Sequence, residues 1–75
     1  MKIATWNVNS IKSRLEHIIL FLKKNSPDIL LLQELKCINE LFPKDEIKRA
    51  GYYSYINGQK AWNGVAILSK KELKI

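Results

Sequence analysis

Ile29-Leu30-Leu31-Leu32-Gln33-Glu34-Leu35-Lys36 decides the fold of this chain. Residues 29–33 lack polar alternation, the pattern expected of a strand buried on both faces by helices, as in parallel and layered α/β sheets. Glu34 follows directly where that strand emerges, and open α/β sheets gather their ligands at such strand ends. A carboxylate so placed is a candidate metal ligand.

Upstream, Ser13-Arg14-Leu15-Glu16 matches a capping box, so a helix is expected to begin at Ser13. Leu15, Ile18, Ile19 and Leu22 then recur at helical spacing, Lys23 and Lys24 complement the negative end of the dipole, and Asn25-Ser26-Pro27 stops the helix. Residues 2–6 form a β-prone run followed by the polar turn Asn7-Val8-Asn9-Ser10. Strand, helix and strand make a βαβ unit.

Downstream, Pro43 suits the first turn of a short helix, Asp45 and Glu46 its positive end, and Gly51 its left-handed terminus. Residues 52–56 are a β-rich run closed by Asn57-Gly58, and residues 65–68 an apolar run after Gly64, which predicts a hairpin-like pair. These six elements make an α/β unit without repeats or low-complexity segments.

With 75 residues and 8.7 kDa, the chain is one small domain at most. A domain of that size buries only about 60% of its extended surface, so stability is marginal. Its 47% hydrophobic and 27% charged residues are globular in character. No run approaches the ~20 apolar residues of a membrane span, and the N-terminus lacks a basic segment followed by a long apolar core, so a cytoplasmic location without membrane attachment is expected. Cys37 is the only cysteine, which excludes an internal disulfide and a multi-cysteine zinc site. A formal charge of +6 favours polyanions such as nucleic acid, although the lysines are spread along the chain in the manner of a solvated surface. The sequence stops on Lys74-Ile75 where another strand is expected to begin, and a partial domain with an apolar sheet face left open is the expectation.

The βαβ geometry brings the C-terminal ends of both strands to one edge, where Asn7, Asn9 and Glu34 converge. Their oxygens suit magnesium, which commonly takes one or two carboxylates and keeps several waters. A Gln-Glu pair closing a strand is more often a helix cap or surface pair, and Asn after a strand is more often turn chemistry. Lys36 and Lys60 are candidate phosphate contacts, against the plainer reading of solvated surface lysines. Trp62 in its polar loop is placed to stack on a base or to pack over the hairpin. Tyr52, Tyr53 and Tyr55 read as strand packing and His17 as a helix residue. Covalent catalysis is disfavoured because no nucleophile elbow accompanies Ser10, Ser13, Ser26 or Cys37, and no glycine-rich phosphate loop is present.

Asn7-Val8-Asn9-Ser10, Pro27-Asp28 with the strand through Gln33-Glu34-Leu35-Lys36, Gly58-Gln59-Lys60 and Gly64-Val65-Ala66-Ile67-Leu68 together resemble the N-terminal part of the bacterial exonuclease III family. Phe42-Pro43 and Gly51-Tyr52 fit the pattern between those motifs, so the resemblance runs the length of the chain. It implies the N-terminal half of a four-layer α/β sandwich, magnesium (or manganese) dependence, and cleavage of double-stranded DNA at abasic sites with 3' to 5' exonuclease and 3'-phosphatase activities. Carried over by position, Glu34 is the metal ligand, Asn7 its first-strand partner and Asn9 a support. Lys36, Gln59 and Lys60 lie in family motifs that face substrate, with Trp62 and Asn63 in the same loop. Leu35 stands where the family usually has Thr, Ser10 where it has Gly, and Trp62-Asn63 where His or Tyr is commoner.

The family's downstream Tyr, Asp-x-Asn pair and Asp-His pair have no counterpart in these 75 residues. One Glu with amides cannot both activate a water and stabilise the leaving oxygen, so the chain alone is expected to be inactive. The alternatives are a small basic module that holds nucleic acid without cutting it, and one subunit of a split nuclease completed by a separately encoded C-terminal half.

Overall fold

The computed structural model of the chain describes residues 1–58 and 64–74. In order, the elements are β1 (Ile3–Asn7), α1 (Ile11–Asn25), β2 (Ile29–Gln33), a 3-10 turn (Asn39–Leu41), α2 (Lys44–Arg49), β3 (Tyr53–Gly58) and β4 (Gly64–Ser69). The four strands form one mixed sheet in the order β1-β2-β4-β3. β1 and β2 run parallel with Asn7 opposite Gln33, while β4 is antiparallel to both β2 and β3. The expected βαβ unit, short helix and strand pair are all present. Among the described residues, no helix is long and apolar enough to cross a membrane.

The two helices share one sheet face. Ile18 and Leu22 of α1, Ile47 of α2 and Phe42 join Leu30, Leu32, Ala66 and Leu68 in a single core, with Ala4, Trp6 and Ile56 packed at its margin. The rings of Trp6 and Phe21 meet edge to face at 5.7 Å, closing the core beside β1. On the other face Ile3, Val65 and Tyr53 are exposed, and Leu31 and Ile67 are half-buried. β2 is therefore not buried on both faces, as its uninterrupted apolar run predicts. Leu30 and Leu32 are sealed beneath the helices, whereas Ile29, Leu31 and Gln33 lie on the face those helices do not cover.

Two boundaries and one additional turn also differ from expectation. α1 starts at Ile11 and is capped by Ser10, whose Oγ accepts from the Ser13 amide at 3.3 Å. The Ser13 capping box loses because Ile11 is fully buried and extends the apolar stripe by one turn toward the N-terminus. The helix ends as read, with Ser26 left-handed and its N–H bonded to the Leu22 carbonyl. Asn57 and Gly58 belong to β3, paired with Val65 and Gly64, so they continue the ladder instead of turning the hairpin. The 3-10 turn at Asn39–Leu41 carries no strong sequence signal.

Candidate functional site

The parallel register sets the ends of β1 and β2 side by side, and backbone hydrogen bonds carry that alignment beyond the strands. Val8 N–H donates to the Gln33 carbonyl at 3.0 Å, Ser10 N–H to Glu34 at 2.9 Å and Ile11 N–H to Leu35 at 2.9 Å. Leu35 N–H in turn donates to Gly64 at 3.2 Å, tying the same turn to the start of β4. The Asn9-Ser10 turn is thereby stitched to Glu34-Leu35-Lys36.

Both segments are bent by residues with positive φ: Asn9 (46°), Ser10 (95°), Glu34 (55°) and Lys36 (55°). Left-handed backbone in residues other than glycine is costly and persists where surrounding bonds enforce it, commonly at working sites. Here the enforcement is visible in the stitched amides and in Leu35, which is fully buried between the two left-handed residues. Leu35 is a peg in the core, and Glu34 and Lys36 on either side of it are left at the surface rim.

Hydrogen bonds run in sequence across this edge. The Lys36 ammonium donates to Asn9 Oδ1, the Asn9 backbone N–H donates to Asn7 Oδ1 at 3.3 Å, and Asn7 Nδ2 donates to Glu34 Oε2. On the open sheet face beside it, Gln33 Nε2 donates to Thr5 Oγ1 at 2.8 Å and locks the last turn of the β1–β2 pair. The edge therefore brings Asn7, Asn9 and Glu34 together, as their strand positions predict, with Lys36 beside them. Gln59, Lys60, Trp62 and Asn63 lie outside the described residues. Cys37 follows Lys36 but turns inward, where burial pushes its thiol up and the Lys12 ammonium offsets that in part, so it is no ready nucleophile or soft-metal ligand.

The donor set is made of hard oxygens. Among the described residues no three His, Cys, Asp or Glu side chains group to hold a metal. One carboxylate with amide neighbours fits a magnesium ion that keeps most of its waters, and does not fit a closed zinc site. Asn7 and Asn9 each accept a hydrogen bond through Oδ1, and the Glu34 carboxylate accepts from Asn7 Nδ2. Ser10 also supports this edge, its N–H bonded to the Glu34 carbonyl and its Oγ capping α1, and its three-residue spacing to Ser13, from cap to N3, is a readable signal.

Known proteins match this chain over most or all of its length. The profile of the endonuclease/exonuclease/phosphatase family matches residues 4–75. The chain belongs to the endonuclease/exonuclease/phosphatase family. It is 36% identical to exodeoxyribonuclease III of Haemophilus influenzae over 75 residues, covering all of this chain and 28% of that protein. A solved AP endonuclease of Archaeoglobus fulgidus superposes with a TM-score of 0.93 at 53% identity, covering 96% of this chain and 28% of that one. The 3' phosphatase NExo from Neisseria, solved with a product DNA hairpin, superposes with a TM-score of 0.90 at 48% identity, covering 93% and 27%. The chain thus spans little more than a quarter of the length of these relatives, and its mixed sheet with two helices is one part of the family fold.

Proposed function

We propose that residues 1–75 supply the Glu34 edge of a magnesium-dependent DNA repair nuclease of the exodeoxyribonuclease III type. In its complete form this enzyme cuts the backbone at abasic sites in double-stranded DNA, with 3' to 5' exonuclease and 3'-phosphatase activities. The observation that carries the reading is the Asn7 amide bonded to the Glu34 carboxylate at the end of the parallel strand pair. Similarity to an exodeoxyribonuclease III, an AP endonuclease and a DNA-bound 3' phosphatase supports the substrate class.

Glu34 would hold the magnesium ion, Asn7 would fix its carboxylate, and Asn9 would support Asn7 from the neighbouring turn. Magnesium bound there would offset charge on a phosphate oxygen. Lys36 is the phosphate-facing cation of the edge, with Gln59, Lys60, Trp62 and Asn63 proposed as further substrate contacts. Manganese would serve in place of magnesium.

By itself the 75-residue chain is proposed to be inactive, because a single carboxylate leaves both water activation and leaving-group assistance unprovided. A separately made C-terminal half is one source of the missing groups. The test is cleavage of a labelled abasic duplex by the purified chain and by a polypeptide of the relatives' full length, each with and without magnesium. Cutting by the long form that needs Glu34, and none by the 75-mer, is expected. Cutting by the 75-mer that is lost in Glu34→Ala would overturn the inactivity. The +6 charge favours a second reading for the 75-mer, a basic module that holds DNA without cutting it. That reading requires binding that falls steeply with salt and ignores magnesium.

A further inference from the structure

We propose that Gly64 is a positioning residue for Glu34, acting through a β-bulge that turns the carboxylate out of the core and onto the rim of the sheet. The inference rests on Glu34 being the carboxylate that the proposed nuclease needs.

The sheet register locates the bulge. β2 and β4 pair as Leu32 with Ala66 and Gln33 with Val65, so the next rung of a regular antiparallel ladder would set Glu34 opposite Gly64. The bond to the Gly64 carbonyl comes instead from Leu35 N–H, at 3.2 Å. Glu34 and Leu35 on one strand thus oppose Gly64 on the other, with Glu34 left-handed at φ 55°. Two residues against one is a β-bulge, a device that re-aims side chains beside active sites.

The extra residue reverses which side chain goes inward. Side chains alternate along a strand, and in β2 it is Leu30 and Leu32 that are sealed beneath the helices. A regular strand would send Glu34 to that same face and Leu35 to the open face with Leu31 and Gln33. A carboxylate placed in that apolar core would be strongly disfavoured. The bulge gives the inward position to Leu35, which is fully buried, and leaves Glu34 where Asn7 Nδ2 reaches it.

Gly64 holds the opposing position at φ 112°, a conformation that residues with a Cβ rarely adopt. It is the first residue of β4, and its carbonyl is the acceptor that secures the bulged Leu35 amide. A side chain at position 64 would pull φ toward negative values and swing that carbonyl away. The pairing of residues 29–33 with 65–69 does not depend on this bond, so the sheet would persist while the Glu34 turn loosened.

The experiment compares Gly64→Ala and Gly64→Asn in a full-length polypeptide with magnesium-dependent cleavage of an abasic duplex, alongside Glu34→Ala. Gly64→Ala should lower kcat about 10- to 100-fold with KM nearly unchanged, the loss expected of a misplaced catalytic group. Asn tolerates positive φ better than Ala, so Gly64→Asn should keep more activity although its side chain is larger. Amide hydrogen exchange supplies a readout that needs neither metal nor DNA: Leu35 should exchange faster in Gly64→Ala while Leu30 and Leu32 keep the parent's protection. Unchanged kcat and Leu35 exchange in Gly64→Ala, a loss confined to KM, or Ala outperforming Asn would overturn the proposal. If Gly64→Ala does not fold, Gly64→Asn decides, since reduced kcat with faster Leu35 exchange supports the role and parental values of both refute it. Cleavage that survives Glu34→Ala would refute the reading of Glu34 and this role with it, whereas cleavage abolished by Glu34→Ala but untouched by Gly64→Ala refutes the positioning alone.

Discussion

Ser10 offers a sharp test because two substitutions there should move stability in opposite directions. Its φ of 95° and ψ of 109° lie where a side chain is strained, and its Oγ caps α1. Relief of that strain by Ser10→Gly is worth about 2 kcal/mol. Against this, the change from Ser to Gly at a cap costs only a few tenths, and the added freedom of the unfolded chain costs about 0.7 kcal/mol. The net expectation is stabilisation by about 1 kcal/mol. Ser10→Ala keeps the strain and loses the cap, so it should destabilise by about 1 kcal/mol. For 75 residues the unfolding entropy is about 0.16 kcal/mol/K, so each kcal/mol moves the midpoint by about 6 °C. Thermal melts followed by circular dichroism should therefore separate the two variants by about 12 °C, with the parent between them. If glycine destabilised the fold as much as alanine, the strained geometry assigned to Ser10 would be wrong.

Other outcomes follow from the same edge and its core. Asn7→Ala, made in a full-length polypeptide with magnesium-dependent activity, should lower cleavage about 10- to 100-fold while leaving the circular dichroism spectrum intact, and unchanged cleavage would show that Glu34 is aimed without it. Leu35→Ala should cost about 2–5 kcal/mol in urea denaturation, because the fully buried side chain is the peg beneath the double turn, and a loss near zero would refute that role. Tyr52 donates its hydroxyl to the Pro27 carbonyl at 2.6 Å, and burial, with help from the Asp28 charge, raises its phenol above the ordinary value of 10.0. A raised folded value means this contribution is complete below pH 10.0 and is lost as pH climbs through the folded value, so Tyr52→Phe should flatten the alkaline limb of a stability profile.

The elements that the sequence exposes most clearly are those with local periodicity or obligatory chemistry. β2 runs over the expected residues 29–33 because no other element could use that apolar run, and α1 stops at Ser26 because Pro27 cannot continue it. The convergence of Asn7, Asn9 and Glu34 follows from the parallel crossover, which leaves their strand ends little choice of position. What escapes the sequence is set by tertiary contact. Ser10 wins the cap from Ser13 only because Ile11 is needed in the core. The left-handed Glu34 and Lys36 carry no glycine to announce them and depend on bonds from two other segments.

β4 is the last of the four strands to be synthesised, yet it lies between β2 and β3. While the chain emerges from a ribosome, β1, α1 and β2 can assemble, but β3 has no sheet partner until residues 64–69 arrive. In that interval one edge of β2 and both edges of β3 are open to other strands. A translational pause after Gly58 would lengthen this vulnerable interval, whereas a pause well after Ser69 would not. The yield of folded protein should thus be governed by the timing of a single central strand.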